Sequence, residues 1–171
     1  VIQPPEIRHK VLYASDNIEV IEIGVPAEHV TTIDHDMELP TKEFNPEREF
    51  KGQKFVHNKA KESTWSDFRI PGFICRDTTI ADNTQNVAGV QVVKPNGATI
   101  KPSSHNCDIL FNFVMEGKMT LTASGQSANE LNSGDAFVIP PNILTEYSNL
   151  SEDLELLEVS LPGSFKTHYD T

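Results

Sequence analysis

Short runs rich in Val, Ile, Phe and Thr, at 68–75, 87–93, 109–115, 119–122, 136–139 and 154–161, are each closed by Gly, Pro, Asn or Ser. No window of about 12 residues carries a 3.6-residue apolar period, so long amphipathic helices are excluded as the frame of the fold. Turn chemistry sits between the runs at 95–97, 116–117, 124–125 and 132–134. Many short strands with tight turns predict an all-β sandwich or barrel.

The chain also repeats itself. Residues 4–35 laid on 140–171 without a gap bring nine identities together: Pro4, Pro5, Ile7, Ser15, Glu19, Glu22, Pro26, Thr31 and Asp34. Ile18, Val20, Ile21, Ile23 and Val25 fall on Leu154, Leu156, Leu157, Val159 and Leu161, so the apolar pattern coincides as well. Average residue usage gives about two identities over such a span by chance. The chain therefore reads as the end of one repeat (1–36), a linker with a lead-in strand (37–67) and a complete second repeat (68–171). On this reading Val1 is not the natural start, and residues 37–54, charged and without apolar period, have linker composition.

A net charge of -11 across 171 residues repels phosphate backbones and anionic membrane surfaces, and no Lys/Arg cluster offsets it. Nucleic acid and membrane are therefore excluded as expected partners. No apolar run is long enough to span a bilayer, and the first residues lack a signal-peptide pattern. Two cysteines, Cys75 and Cys107, form neither a disulfide framework nor a CxxC pair. The expectation is a soluble, cytoplasmic protein.

Two segments carry a spaced pattern: 97–117 (GATIKPSSHNCDILFNFVMEG) and 134–149 (GDAFVIPPNILTEYSN). They resemble the paired motifs of the cupin superfamily over about residues 68–162, with Gly97, Gly117, Gly134, Pro140 and Asn149 in their places. The resemblance implies an antiparallel jelly-roll β-barrel, and the repeat makes the chain resemble the C-terminal half of a duplicated, two-barrel (bicupin) protein. It also assigns the metal-ligand positions. Ser103 stands at the first His, His105 at the second, Leu110 at the Glu and Thr145 at the last His. Hydroxyls are weak donors to iron, manganese, nickel or zinc, and an isobutyl group is none. His105 is the only motif ligand retained, so no metal cofactor is expected in this barrel. Under the repeat offset His9 lies opposite Thr145, so an upstream barrel is a candidate to have kept a metal site.

If Leu110 holds the inward carboxylate position that the resemblance implies, alternation turns Asn112 and Val114 inward as well and Phe111, Phe113 and Met115 outward onto a neighbouring sheet, and the HxH spacing of the resembled motif turns Ser103, His105 and Cys107 inward. The change of parity before Leu110 calls for a bulge near Asp108. Ser103, His105, Asn112 and Thr145 then form a polar, uncharged pocket, the expected ligand-binding residues. It either hydrogen-bonds a small polar metabolite or is a fossil site, with His105 satisfied by Asn112 or Thr145 and filled by water. Rebuilding a metal site from Cys107, Asp108 and His105 is opposed by strand parity. His35, His57 and His168 are read as solvent-facing, and Trp65 and Phe68 as core plugs.

The run 18–25 reads as an apolar strand that must be covered, by the sheet of the complete barrel or by a second chain, which predicts a homodimer through sheet contacts or a pseudo-dimer of two barrels. The expected function is a structural or small-molecule-binding half without a competent metal site, with no catalytic residue. The alternatives are a sensor of a small metabolite, or a metal-dependent cupin enzyme of dioxygenase, isomerase or lyase type with a divalent Fe, Mn, Ni or Zn at His105 or in the upstream barrel. A fold alone does not choose among these chemistries.

Overall fold

A computed structural model describes residues 1–36 and 38–169. Met37, where the expected linker begins, and Asp170 and Thr171, the last residues of the repeat match, lie outside the described residues.

Turn residues set the strand boundaries. A two-stranded hairpin, β1 (Glu49–Phe50) and β2 (Gln53–Lys54), comes first, followed by a single 3₁₀ turn at Ala60–Glu62. β3 (Ser66–Asp67) folds back on β4 (Phe73–Asp77) through Ile70-Pro71-Gly72-Phe73, where the Phe73 N–H donates to the Ile70 carbonyl and Gly72 has φ +96°. Pro then Gly at the two central positions is what a type II turn selects. One short helix, α1 (Ile80–Asn83), precedes β5 (Gly89–Pro95) and β6 (Ser103–His105). β7 (Ile109–Glu116) turns at Gly117 into β8 (Lys118–Ala123). A Cβ on Gly117, at φ +75°, would meet Leu154 backbone atoms at 2.8 Å, so the turn admits only glycine. β9 (Asn129–Asn132), β10 (Ala136–Ile139), β11 (Thr145–Ser148), β12 (Glu155–Leu161) and β13 (Thr167–Tyr169) complete the chain. Asn142 takes φ +63°, the left-handed conformation, in the turn between β10 and β11.

The strands form a six-stranded sheet, β10-β7-β12-β5-β4-β3, facing a five-stranded one, β13-β6-β11-β8-β9, with antiparallel pairs throughout. The fold is therefore the expected all-β antiparallel jelly roll. Its core lies between the sheets: Phe73, Cys75, Val93, Leu110, Val114, Ile139, Leu154 and Leu156 from one, Met119 and Tyr147 from the other, and Phe68 and Ile70 from the β3–β4 turn. The inward set of β7, Leu110, Asn112 and Val114, is buried as alternation predicts. Phe111 and Phe113 are half-buried and Met115 is exposed.

Several local expectations are corrected. The strand expected over 68–75 is instead a hairpin, because Pro71-Gly72 breaks it. The expected linker contains the β1–β2 hairpin, whose Phe50 is buried with the Arg48 guanidinium 4.5 Å from its ring centre. Trp65 is not a core plug; it lies at the surface with the Lys94 ammonium 4.1 Å from its ring centre, whereas Phe68 is in the core. The strand expected over 18–25 is absent: Ile18, Val20, Ile21, Ile23 and Val25 are all exposed in irregular backbone. Their repeat counterpart, β12, is ladder-bonded to β5 on one side and β7 on the other. Residues 18–25 have neither neighbour, and β-propensity without a sheet to join does not make a strand. Among the described residues no helix is long and apolar enough to cross a membrane.

Candidate functional site

Strand register brings three of the four expected site residues together. Ser103 and His105 are two apart on β6, hence on one face. Thr145 of β11 lies directly across from Ser103, and Thr167 of β13 directly across from His105. All three site residues are at most 5% exposed. The Thr145 hydroxyl donates to the Ser103 carbonyl at 3.1 Å.

The His105 ring is held on one side only. The Cys107 backbone N–H donates to Nδ1 at 3.1 Å, which fixes the neutral tautomer with its proton on Nε2. The Phe165 ring lies edge-on at 5.9 Å between centroids. Nε2 makes no hydrogen bond of good geometry, although the Ile139 carbonyl lies near enough to favour its proton. Burial lowers the pKa of this imidazole, the Arg69 charge lowers it further, and the Ile139 carbonyl opposes both. The expected satisfaction of His105 by Asn112 or Thr145 is thus not what the structure has, since Thr145 donates to Ser103.

Asn112 reaches the same interior from the facing sheet. The bulge expected near Asp108 is replaced by a crossing: residues 106–108 carry the chain from β6 in one sheet to β7 in the other, with the Asp108 N–H bonded to the Leu161 carbonyl at 3.1 Å. A change of sheet resets strand parity without an inserted residue. Asn112 lies opposite Phe137 of β10 and Glu158 of β12, is 1% exposed, and leaves its Nδ2 without a partner.

The interior is not uncharged, contrary to expectation. Glu158, 5% exposed, points inward beside Asn112 and accepts two hydrogen bonds from Arg69, Nε to Oε1 at 3.2 Å and Nη2 to Oε2 at 2.5 Å. Arg69 comes from the β3–β4 turn, stacked between Phe68 at 4.8 Å and Phe165 at 4.9 Å. Desolvation works against its charge, but the Glu158 carboxylate outweighs that and raises its pKa. Tyr147, on the same face of β11 as Thr145, has its phenol pushed up by burial and by Glu158, with Arg69 opposing. Sequence reading missed this pair. Glu158 was within reach, because it shares parity with Leu154, Leu156 and Ser160 on a buried strand. Arg69 carried no signal, because its direction is set by the Pro71-Gly72 turn.

The motif positions do not fit a metal ion. Leu110 offers no donor, the Thr145 hydroxyl is directed at a backbone carbonyl, and the one imidazole has Nδ1 occupied by the Cys107 N–H. Among the described residues, no group of three or more His, Cys, Asp or Glu side chains is placed to hold one. Two surface grooves are present, about 320 Å³ beside Gly97, Ile100 and Leu150, and about 240 Å³ beside Thr122, Leu144 and Thr145. Neither is lined by His105 or Asn112. His9, His35, His57 and His168 are exposed and take no part.

Comparison with known proteins agrees with this geometry. Residues 89–160 match the cupin domain family. Among solved structures, the chain resembles KdgF from a Halomonas species, with 20% identity over 61% of this chain and 93% of that one and a TM-score of 0.51. It also resembles Pac13, a nucleoside dehydratase, with 15% identity over 68% and 92% and a TM-score of 0.54. The polyketide cyclase RemF from Streptomyces resistomycificus follows with 18% identity over 70% and 86% and a TM-score of 0.53. At such identities the likeness is one of fold. No curated protein matches the sequence.

Proposed function

We propose that the cupin domain of this chain binds a small polar molecule inside its barrel without a metal ion, as one half of a two-barrel protein. One observation carries this reading: two donors are buried inside the barrel, Asn112 Nδ2 with no partner and His105 Nε2 with no well-formed hydrogen bond, only the pull of the Ile139 carbonyl on its proton. Buried donors left unpaired cost about 1–3 kcal/mol each, so folds keep them satisfied or keep them for something that arrives. Because both are donors, the ligand they select presents acceptor oxygens, as a carbonyl, carboxylate or sugar does. Arg69 and Glu158 balance one another and add no net charge to that choice. If water alone fills the place, the domain is the structural half.

Support for two barrels comes from the repeat, since residues 18–25 match a strand that is central in its own sheet yet find no sheet here. The same domain is proposed to pair with a second copy through the outer face of β7 and β10, where Ile109, Met115 and Val138 are exposed. Two buried free cysteines accord with a cytoplasmic setting.

Two measurements test the binding reading. Metal analysis of protein purified without chelator is expected to find no stoichiometric iron, manganese, nickel or zinc. Such a metal, lost in His105→Ala, would overturn it. A panel of sugars and carboxylic acids scored by thermal shift is expected to give a hit, because a ligand at 100 times its Kd adds about 2.7 kcal/mol; no hit would reduce the domain to a structural role.

A second reading makes the domain an enzyme with His105 as acid–base group. It draws on the neutral imidazole set beside the Arg69–Glu158 pair and on structural neighbours named as a nucleoside dehydratase and a polyketide cyclase. Turnover of a bound compound, lost in His105→Gln with binding kept, would select it.

A further inference from the structure

The segment after β12 closes the barrel over His105. Phe165 covers the imidazole edge-on, and β13 runs beside β6 with Thr167 against His105 and Tyr169 against Ser103. This segment is weakly built into the fold. β13 has three residues, a single strand neighbour, and exposed side chains at His168 and Tyr169. Much of its attachment converges on one residue. Arg69 Nη1 donates to the Thr167 hydroxyl at 3.2 Å, the Tyr169 hydroxyl donates to the Arg69 carbonyl, and the guanidinium stacks on Phe165. Mutual bonds between Asn106 and Lys166 add to it, and the Gly163 N–H, bonded to the Asn86 carbonyl at 3.0 Å, anchors the root.

The remaining nitrogens of Arg69 hold Glu158, which belongs to the barrel wall. The bonds to the strap can therefore open while the buried ion pair stays closed and no charge is left alone. That division is what a latch requires, and it is not what a permanent wall needs.

We propose that residues 162–169 are a hinged lid over the polar interior, latched by Arg69, whose opening admits a ligand to His105 and Asn112. The proposal rests on the binding reading above only for its purpose, and the two are tested separately. The lid opens by a local transition that leaves both sheets intact.

The two cysteines report on it. Cys107 sits at the root of the lid, its Sγ 3.1 Å from the Leu161 carbonyl and 3.8 Å from that of Pro162, and it is fully buried. Cys75 is buried in β4, its thiol hydrogen-bonded to Ser66 and Asp67 of β3. The full chain is treated with N-ethylmaleimide under native conditions and each cysteine is followed by peptide mapping. Cys107 is expected to react faster than Cys75. In a Thr167→Val/Tyr169→Phe double variant, which removes two latch bonds on the lid side and spares Arg69 and Glu158, Cys107 is expected to react about tenfold faster with Cys75 unchanged. Equal rates at both cysteines in both proteins, or equal acceleration of both, would mean that the lid moves only with global unfolding and would overturn the proposal. Hydrogen exchange in the unaltered chain gives a second measure. Amides of 167–169 are expected to open with little urea dependence while those of β12 require global unfolding, and a shared dependence would count against the lid. Labelling decides the lid and the metabolite panel decides binding, so either can fail alone.

Discussion

Arg69 grips Glu158 through two hydrogen bonds, 3.2 and 2.5 Å, inside a barrel whose other walls are largely apolar. A desolvated pair of this kind is worth little over a well-packed apolar replacement, but breaking it from one side strands a charge. Arg69→Met is therefore expected to cost about 3–5 kcal/mol in urea unfolding, and Arg69→Met/Glu158→Leu markedly less. A double variant as unstable as the sum of its singles would show that the two residues act independently.

Gly117 and Gly125 both have positive φ, +75° and +78°, but different surroundings. A Cβ at Gly117 runs into the Leu154 backbone, whereas at Gly125 it meets nothing within 4 Å. Gly125→Ala is expected to cost about 1 kcal/mol, the backbone penalty alone, and Gly117→Ala at least twice that. Equal costs by urea titration would remove the close approach as the reason for glycine at the β7–β8 turn.

His105 makes stability depend on pH. Its pKa is depressed by burial first and by Arg69 second, so the folded state resists the proton that the unfolded chain accepts near pH 6.5. The unfolded state then binds more protons between the two values, and stability rises with pH there. The contribution is full above about pH 6.5 and is lost as pH falls toward the folded pKa. His105→Gln is expected to flatten the fall of the urea midpoint below pH 6.5 relative to the unaltered chain. An unchanged slope would mean that His105 is not the group responsible.

The framework of this protein was legible in its sequence for a physical reason: strand runs, turn residues and motif glycines act locally, and β5, β7, β8, β10 and β12 follow from them. The positions of Ser103, His105, Leu110 and Thr145 came from the spacing of the two motifs, and Asn112 followed from Leu110 because alternation is a rule of single strands. What failed was whatever depends on distant neighbours. Residues 18–25 have strand composition and no sheet to join. Asp108 needs no bulge once the chain changes sheets. Arg69 reaches Glu158, 89 residues later in the chain, only because the Pro71-Gly72 turn aims it inward. β6, β9, β11 and β13 are three or four residues each and, unlike the equally short but apolar β10, are mostly polar, so they carry too little pattern to be seen alone.

The outer face of β7 and β10 pairs Val138 with Phe111 and Ala136 with Phe113, an apolar strip at the edge of the six-stranded sheet. Such a strip is a contact surface or a liability. The unaltered chain is expected to scatter light as a dimer at micromolar concentration. Val138→Lys, at a residue 57% exposed and so without effect on the core, is expected to give monomer. A monomeric unaltered chain would remove the proposed homodimer.

If the barrel has lost only its ligands and kept its frame, the ligands can be restored. Leu110→Glu alone places an unpaired carboxylate at a position 1% exposed and is expected to destabilise the chain by several kcal/mol. Adding Ser103→His and Thr145→His, whose backbones are already directly paired across β6 and β11, supplies imidazoles beside His105. The triple variant is then expected to bind zinc or nickel stoichiometrically and to recover stability on adding the metal, since an ion bound only by the folded state stabilises it. Ligation through Nε2 moves the imidazole proton to Nδ1, so His105 must give up the bond it accepts from the Cys107 N–H. Calorimetric titration showing no metal affinity in a folded triple variant would mean that the interior has been rebuilt around Arg69 and Glu158, and no longer has the geometry of a metal site.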